Sequence, residues 1–300
     1  MQYLESFTFP RASAEEAYYL SYPPELEMAC YGHETVYPFK VFPQKGFSHV
    51  TFAPITILCG SNGSGKSTAL NVIAEKLSLT RAAPFNHTPF FREYLKLCDY
   101  RLTFRRRLPE GSRIITSDDV FDFLLDIRTI NKGIAGRREA LFDEYDAYRR
   151  ERSEGRTFLL RSMEDYDELK YRNELKRTTK SAYTAKRLGT TELAGMSNGE
   201  SAYRYFTTRI TENALYLLDE PENSLSVKLQ DELRQFIEEA VRFYHCQFII
   251  STHSPFLLAA RDAKVYDLDT TPVREVHWTE IENVRRYHDF FKRHKALFKE

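Results

Sequence analysis

Gly60-Ser61-Asn62-Gly63-Ser64-Gly65-Lys66-Ser67, followed by Thr68, is the stretch on which the reading of this chain turns. It fits G-x-x-x-x-G-K-[ST], and each residue type has a physical reason. Glycines let the backbone wrap closely around an anion while successive N–H groups point inward at it. Lys66 is placed to reach the outer phosphates, and the Ser67 hydroxyl is a hard oxygen donor suited to magnesium. Upstream, Ile55-Thr56-Ile57-Leu58-Cys59 is a compact apolar strand candidate. Downstream, Leu70, Ile73, Ala74 and Leu77 recur at helical spacing. Strand, glycine loop and helix start in succession are what a phosphate-binding loop requires.

Two further apolar runs end in polar residues. Ala214-Leu215-Tyr216-Leu217-Leu218 leads into Asp219-Glu220, where the first carboxylate suits a magnesium shell and the second can orient or deprotonate a water. The run beginning at Cys246 leads into Ser251-Thr252-His253-Ser254-Pro255, whose His253 can hold the same water. Between the runs, Leu229, Leu233, Phe236 and Ile237 mark a helix over 227–243. Strands alternating with helices predict an α/β fold with a mostly parallel central sheet flanked by helices, its motifs at the carboxyl ends of strands. Ser197-Asn198-Gly199-Glu200 precedes a helix expected near Ser201, and small residues there make a second anion-binding edge.

Residues 60–68, 196–200, 215–222 and 251–255 resemble, in order, the Walker A loop, signature motif, Walker B and switch histidine of ATP-binding-cassette ATPases. Within that superfamily, Asp219-Glu220-Pro221-Glu222-Asn223-Ser224-Leu225-Ser226 is similar to the stand-alone bacterial AAA family ATPases, themselves akin to the heads of structural-maintenance-of-chromosomes and recombination ATPases. The resemblance implies a P-loop NTPase that binds ATP and Mg2+, hydrolyses ATP, and forms a head-to-tail homodimer with two nucleotides sandwiched between subunits. Each ATP would rest on Lys66, Ser67, Asp219, Glu220 and His253 of one subunit, capped by Ser197 and Gly199 of the other. Residues 223–226 would cross the seam. The signature departs from the transporter pattern. In addition, no glutamine occurs between Gln44 and Gln230, so the usual glutamine-loop residue has no counterpart in sequence.

The resemblance says little about residues 84–193, a polar stretch rich in Arg, Tyr, Asp and Glu. It reads as a mainly helical insert between the Walker A loop and the signature, leaving 1–83 and 194–300 as the nucleotide-binding core. Ser117 or Asp118 can cap one helix. Ser162 with Asp165 forms a capping box for a second, charged helix through Arg187. Residues 1–54, broken by Pro23, Pro24, Pro38, Pro43 and Pro54, suggest strands and turns.

The 300 residues carry 43 Lys+Arg and 43 Asp+Glu, so net charge does not point to a polyanion. Local clusters remain: Lys170, Arg172, Lys176, Arg177, Lys180, Lys186 and Arg187 against Glu174; Arg101, Arg105, Arg106, Arg107 and Arg113; and Arg285 to Lys299. These are compatible with DNA or RNA backbone contact, and equally with ordinary solvated helix faces. The scattered Cys30, Cys59, Cys98 and Cys246 have no metal spacing and suit a reducing cytoplasm. The N-terminus has no signal-peptide pattern and no run is long enough to span a membrane, so a cytoplasmic location without membrane insertion is expected. The favoured function is an ATP switch acting as a clamp or sensor in a nucleic-acid or defence process. The alternative is an ATPase that energises or regulates a separate protein, either a transporter or an effector. A GTPase is disfavoured because Asn131-Lys132-Gly133-Ile134 lacks the guanine-selecting Asp. A fused nuclease is disfavoured because few residues follow Pro255.

Overall fold

A computed structural model describes residues 2–21, 36–85, 87–103, 107–154, 166–188 and 197–298. The three apolar runs form adjacent strands. β3 (Ile55–Cys59) and β7 (Gln247–Ser251) are buried at every position, and β6 (Leu215–Asp219) at all but the last. Continuous burial means that both faces are covered, the condition under which parallel strands are stable. With β5 (Arg113–Thr116), β8 (Lys264–Asp267) and β9 (Arg274–Val276) they form a sheet ordered β5-β6-β7-β3-β8-β9. Only the β8–β9 pair is antiparallel.

Register brings the strand ends together, pairing Thr116 with Asp219, Asp219 with Ser251, and Ser251 with Leu58. Helix α2 (Lys66–Lys76) leaves the loop after β3 and buries Ala69, Leu70, Val72, Ile73 and Ala74. Helix α8 (Val227–Phe243) starts at Ser226, whose hydroxyl accepts the Leu229 N–H, and buries Leu233, Ile237 and Ala240.

A second, antiparallel sheet, β2-β1-β4, comprises β1 (Leu4–Thr8), β2 (His49–Thr51) and β4 (Asp99–Leu102). Gln247 staples it to the first. This fully buried amide accepts the Tyr3 and Leu4 N–H groups at 2.7 and 2.8 Å and donates to Leu4 O and Ala53 O at 2.9 and 3.1 Å. All four bonding positions of the amide are used, which is what makes a buried Gln tolerable in a core. Phe7, Phe9, Phe42 and Phe47 pack with Leu70 and Ile73 beside it.

Two compact units emerge, Met1–Asp122 with Asn198–Glu300, and Phe123–Ser197. The boundary differs from the expected 84–193 insert. Residues 84–122 contain β4 and β5, both paired into the sheets of the first unit. Their polar, Arg-rich composition hid two short strands whose partners are distant in sequence.

The second unit is helical: most of α4 (Ser117–Ser153), then α5 (Tyr166–Arg177) and α6 (Lys180–Leu188). The charged helix expected to run through Arg187 breaks after Arg177, where Thr179 Oγ1 accepts the Ala182 N–H and starts α6 anew. The Ser162–Asp165 capping box lies outside the described residues. In the N-terminal region, α1 (Ala12–Ser21) is a helix where strands and turns were expected; its Ala-Ser-Ala-Glu-Glu-Ala start is a strong local helix former.

Candidate nucleotide site

The phosphate loop has the backbone its sequence demands. Gly60 and Gly65 adopt φ of 152° and 95°, and a Cβ on Gly60 would sit 2.6 Å from Ser64 Oγ. Ser64 Oγ is buried without a hydrogen-bond partner among the described residues. Such an orphan polar atom in an anion-shaped loop fits a phosphate-binding role. Lys66 is 4 % exposed, and its ammonium donates to Gly60 O at 2.9 Å and Ser61 O at 3.1 Å. Glu220 Oε1 lies 3.6 Å away.

Ser67 Oγ donates to Asp219 Oδ1 at 3.0 Å, and Ser251 Oγ donates to the same oxygen. Burial pushes the Asp219 carboxyl above its ordinary range, the Ser251 and Ser67 hydroxyls pull it back, Glu220 adds to the rise and Lys66 opposes it. A carboxylate and a serine hydroxyl converging at the strand ends form an oxygen donor set of the kind magnesium prefers, so Ser67 and Asp219 fit that ion.

Glu220 follows β6 in the left-handed region, φ 48° and ψ 54°, with its N–H donating to Ser251 O at 2.9 Å. A non-glycine residue there costs about 1–2 kcal/mol, strain of the kind that collects at functional positions. The turn aims the carboxylate back at the loop. Its Oε1 lies 3.2 Å from His253 Nε2, its Oε2 accepts from Asn223 Nδ2 at 3.0 Å, and His253 Nδ1 lies 3.3 Å from Gly60 O. Lys66, Ser67, Asp219, Glu220 and His253 are therefore gathered at the carboxyl ends of three adjacent strands.

Helix α7 (Asn198–Arg209) begins earlier than expected near Ser201, with Gly199 in its first turn. A Cβ on Gly199 would meet Leu229 Cδ1 at 3.0 Å and Ser224 O at 3.5 Å. A side chain here would press on Leu229, so the position is tightly packed within its own chain.

Several polar residues here went unnoticed in the sequence. Asp269 accepts both the N–H and the hydroxyl of Ser61 at 2.7 Å, pinning the start of the loop from a position far along the chain. Asp119, buried, accepts the Ala83 N–H and the Thr116 N–H, each at 2.6 Å. It thereby ties together two walls of a cavity of about 610 Å³ on the Asp219 side. Tyr37, Asn71, His87, Ser117 and Asp118 line that cavity with Asp219 and Glu220. None is a glutamine, so the residue missing from the sequence pattern is missing from this wall as well. The Asp269–Ser61 and Asp119–Ala83 contacts join residues distant in sequence and leave no local signature.

The chain is similar in fold to the Smc head domain of Pyrococcus furiosus solved with the C-terminal domain of ScpA (14 % identity, 96 % of this chain and 100 % of that chain, TM-score 0.43). It is also similar to the SMC head domain of Thermotoga maritima (14 %, 76 % and 93 %, 0.34). A third likeness is the ATP-binding cassette MJ0796, a dimer in a post-hydrolysis state bound to ADP and Pi (14 %, 77 % and 88 %, 0.34). No curated protein matches the chain. Residues 104–259, more than half of the sequence and including Asp219, Glu220 and His253, match the family described as "AAA domain, putative AbiEii toxin, Type IV TA system", and the chain belongs to that family.

Proposed function

We propose that this protein is a magnesium-dependent ATPase working as a nucleotide switch. The observation that carries the reading is the convergence of Lys66, Ser67, Asp219, Glu220 and His253 on one phosphate loop. The N–H groups of residues 60–68 cradle the phosphates, and Lys66 exchanges its contacts with Gly60 O and Ser61 O for phosphate oxygens. Ser67 and Asp219 would hold magnesium, which would supply charge neutralisation on the outer phosphates. Glu220 takes a proton from the attacking water, and His253 holds that water with it.

The active form we propose is a head-to-tail homodimer in which Ser197 and Gly199 of one subunit cap the nucleotide of the other. Hydrolysis would then open the dimer and turn chemistry into a change of shape. We further propose that the switch serves as a clamp or sensor in a nucleic-acid or defence process, working in the cytoplasm. Among the described residues no helix is long and apolar enough to cross a membrane. The family description points the same way, toward toxin–antitoxin biology.

Of the three basic clusters, the C-terminal one favours DNA or RNA most. Arg285, Lys292 and Lys295 are exposed on and just after α10 (Glu282–Arg293), a helix that also exposes Tyr287, Phe290 and Phe291 on another of its faces. In the 170–187 cluster, by contrast, Arg172 and Lys180 are paired with Glu151 and Asp146 of α4. The Arg101–Arg113 cluster is split between two sheets, with Arg105 and Arg106 outside the described residues. The alternative reading, an ATPase acting on a separate effector protein, draws on that aromatic face.

The deciding experiment compares ATP turnover by the wild type and Glu220→Gln, with and without DNA or RNA, alongside mass in solution. Stimulated turnover with an ATP-trapped Glu220→Gln dimer supports a clamp. Unstimulated turnover moves the proposal to a protein effector, and absence of ATP binding overturns it.

A further inference from the structure

Immediately after Glu220, the 3-10 turn Pro221–Ser224 puts Glu222 in an unusual place. Its side chain is 9 % exposed. Oε1 accepts the His253 main-chain N–H at 2.7 Å, while Oε2 is buried with no hydrogen-bond partner among the described residues. Burying a carboxyl group with one oxygen unsatisfied is costly, and a mere packing role would be served at lower cost by an apolar side chain. The next residue, Asn223, grips the other half of the pair by donating Nδ2 to Glu220 Oε2 at 3.0 Å. One short turn therefore holds both Glu220 and His253.

The same turn is braced from two further sides. Ser254 Oγ donates to Gln230 Oε1 at 2.7 Å, and Gln230 Nε2 donates to Leu225 O at 3.0 Å, so the segment after His253 is tied back to the end of the turn. On the opposite side sits Gly199. Its missing Cβ would lie 3.5 Å from Ser224 O, 3.8 Å from Ser226 N and 3.0 Å from Leu229 Cδ1. The start of α7 thus rests directly on the turn, with no side chain between to absorb a displacement.

We infer that Glu222 is a positioning residue for His253: by accepting the His253 main-chain N–H it fixes that residue beside Glu220, while Asn223 of the same turn holds Glu220 itself. This rests on the ATPase reading proposed above.

The test is a double-mutant cycle on the full-length protein. ATP affinity is read with a fluorescent ATP analogue, and kcat and KM are measured for Glu222→Ala, Glu222→Gln, His253→Ala and the Glu222→Ala/His253→Ala pair. Glu222→Ala should leave nucleotide affinity within about twofold and lower kcat about 100-fold, the cost of a misplaced catalytic group. Glu222→Gln keeps an acceptor for the His253 N–H and should recover most of the rate. The double variant should be no slower than His253→Ala alone, because Glu222 acts through the histidine. Losses that multiply in the double variant, or a Glu222→Gln as slow as Glu222→Ala, would overturn the inference. A wild type that binds ATP but never hydrolyses it would instead remove the ATPase reading on which the inference rests.

Discussion

The two compact units of this chain are held together by different physics. In the first, β3, β6 and β7 are buried almost end to end, and the core around Phe7, Phe9, Leu70, Ile73 and Leu217 is broad and apolar. In the second, the core shrinks to Leu141, Tyr145, Leu175 and Tyr183. Around it polar contacts do much of the specifying. Tyr183 donates to Glu144 at 3.1 Å, Tyr171 donates to the same carboxylate, Tyr145 donates to Thr178 O at 3.0 Å, and Lys180 pairs with Asp146 at 2.6 Å. Apolar burial has no charge for salt to screen, whereas exposed ion pairs are screened by it. A rigid floor is what a phosphate loop needs to keep its N–H groups aimed. A unit held by hydroxyls and ion pairs can adjust at smaller cost.

Lys66→Ala should give the largest contrast. Removing this buried cation, which makes two main-chain contacts and faces Glu220, is expected to weaken ATP binding about 100-fold or more by calorimetry. The helical unit should be untouched, with hydrogen exchange across α4–α6 unchanged. Normal ATP affinity in this variant would remove the loop assignment altogether.

The next contrast is in stability. Phe248→Ala, in a fully buried strand stacked on Tyr216, should destabilise the first unit by about 3–5 kcal/mol in urea unfolding. Tyr183→Phe removes only a hydroxyl and should cost about 1 kcal/mol, seen as faster exchange confined to the helical unit. If the two substitutions cost the same, the distinction between an apolar floor and a polar-specified unit does not hold.

How much of this was legible in the sequence follows the same division. The loop at 60–67, the Asp219-Glu220 pair and His253 were readable because each requirement is local, a fixed backbone or a strand ending in a particular side chain. The parallel sheet followed from the uninterrupted apolar runs. What escaped were the long-range polar clamps: Gln247 on Tyr3 and Leu4, Asp269 on Ser61, Asp119 on Ala83. Any one of these reads in isolation as a surface residue. β5 escaped for the same reason, as four residues in an Arg-rich stretch acquire their identity only by pairing with β6.

Asp219 offers a subtler probe of the rigid unit. Burial raises its pKa above the ordinary 3.8, so the folded state holds the proton more tightly than the unfolded chain does. The stability this group contributes is present at pH below 3.8 and is lost as pH rises through the raised value. Asp219→Asn keeps an oxygen to accept from Ser67 and Ser251 and needs no charge in the pocket. Without nucleotide it should melt a few degrees higher than wild type at neutral pH, and the difference should vanish in acid. The same variant should lose the stabilisation that ATP with magnesium gives the wild type. A variant less stable than wild type at neutral pH would mean that the charged carboxylate is already compensated without the metal.

The smallest expected effect concerns the basic face of the helical unit. Lys180 spends its charge on Asp146 and lies 4.6 Å from the Phe142 ring, Arg172 meets Glu151, and Arg187 lies over Tyr171 and Tyr183. Cations engaged in this way release few counterions on meeting a polyanion, and counterion release is what gives nucleic-acid binding its salt slope. Reversing Lys176 and Arg177, both exposed at the end of α5, should therefore change that slope by about 2 units at most. Reversing Arg285, Lys292 and Lys295, exposed on and just after α10, should remove most of it. Equal effects from the two sets would place a polyanion on both units, and the polar contacts of α4–α6 would then have to yield whenever it binds.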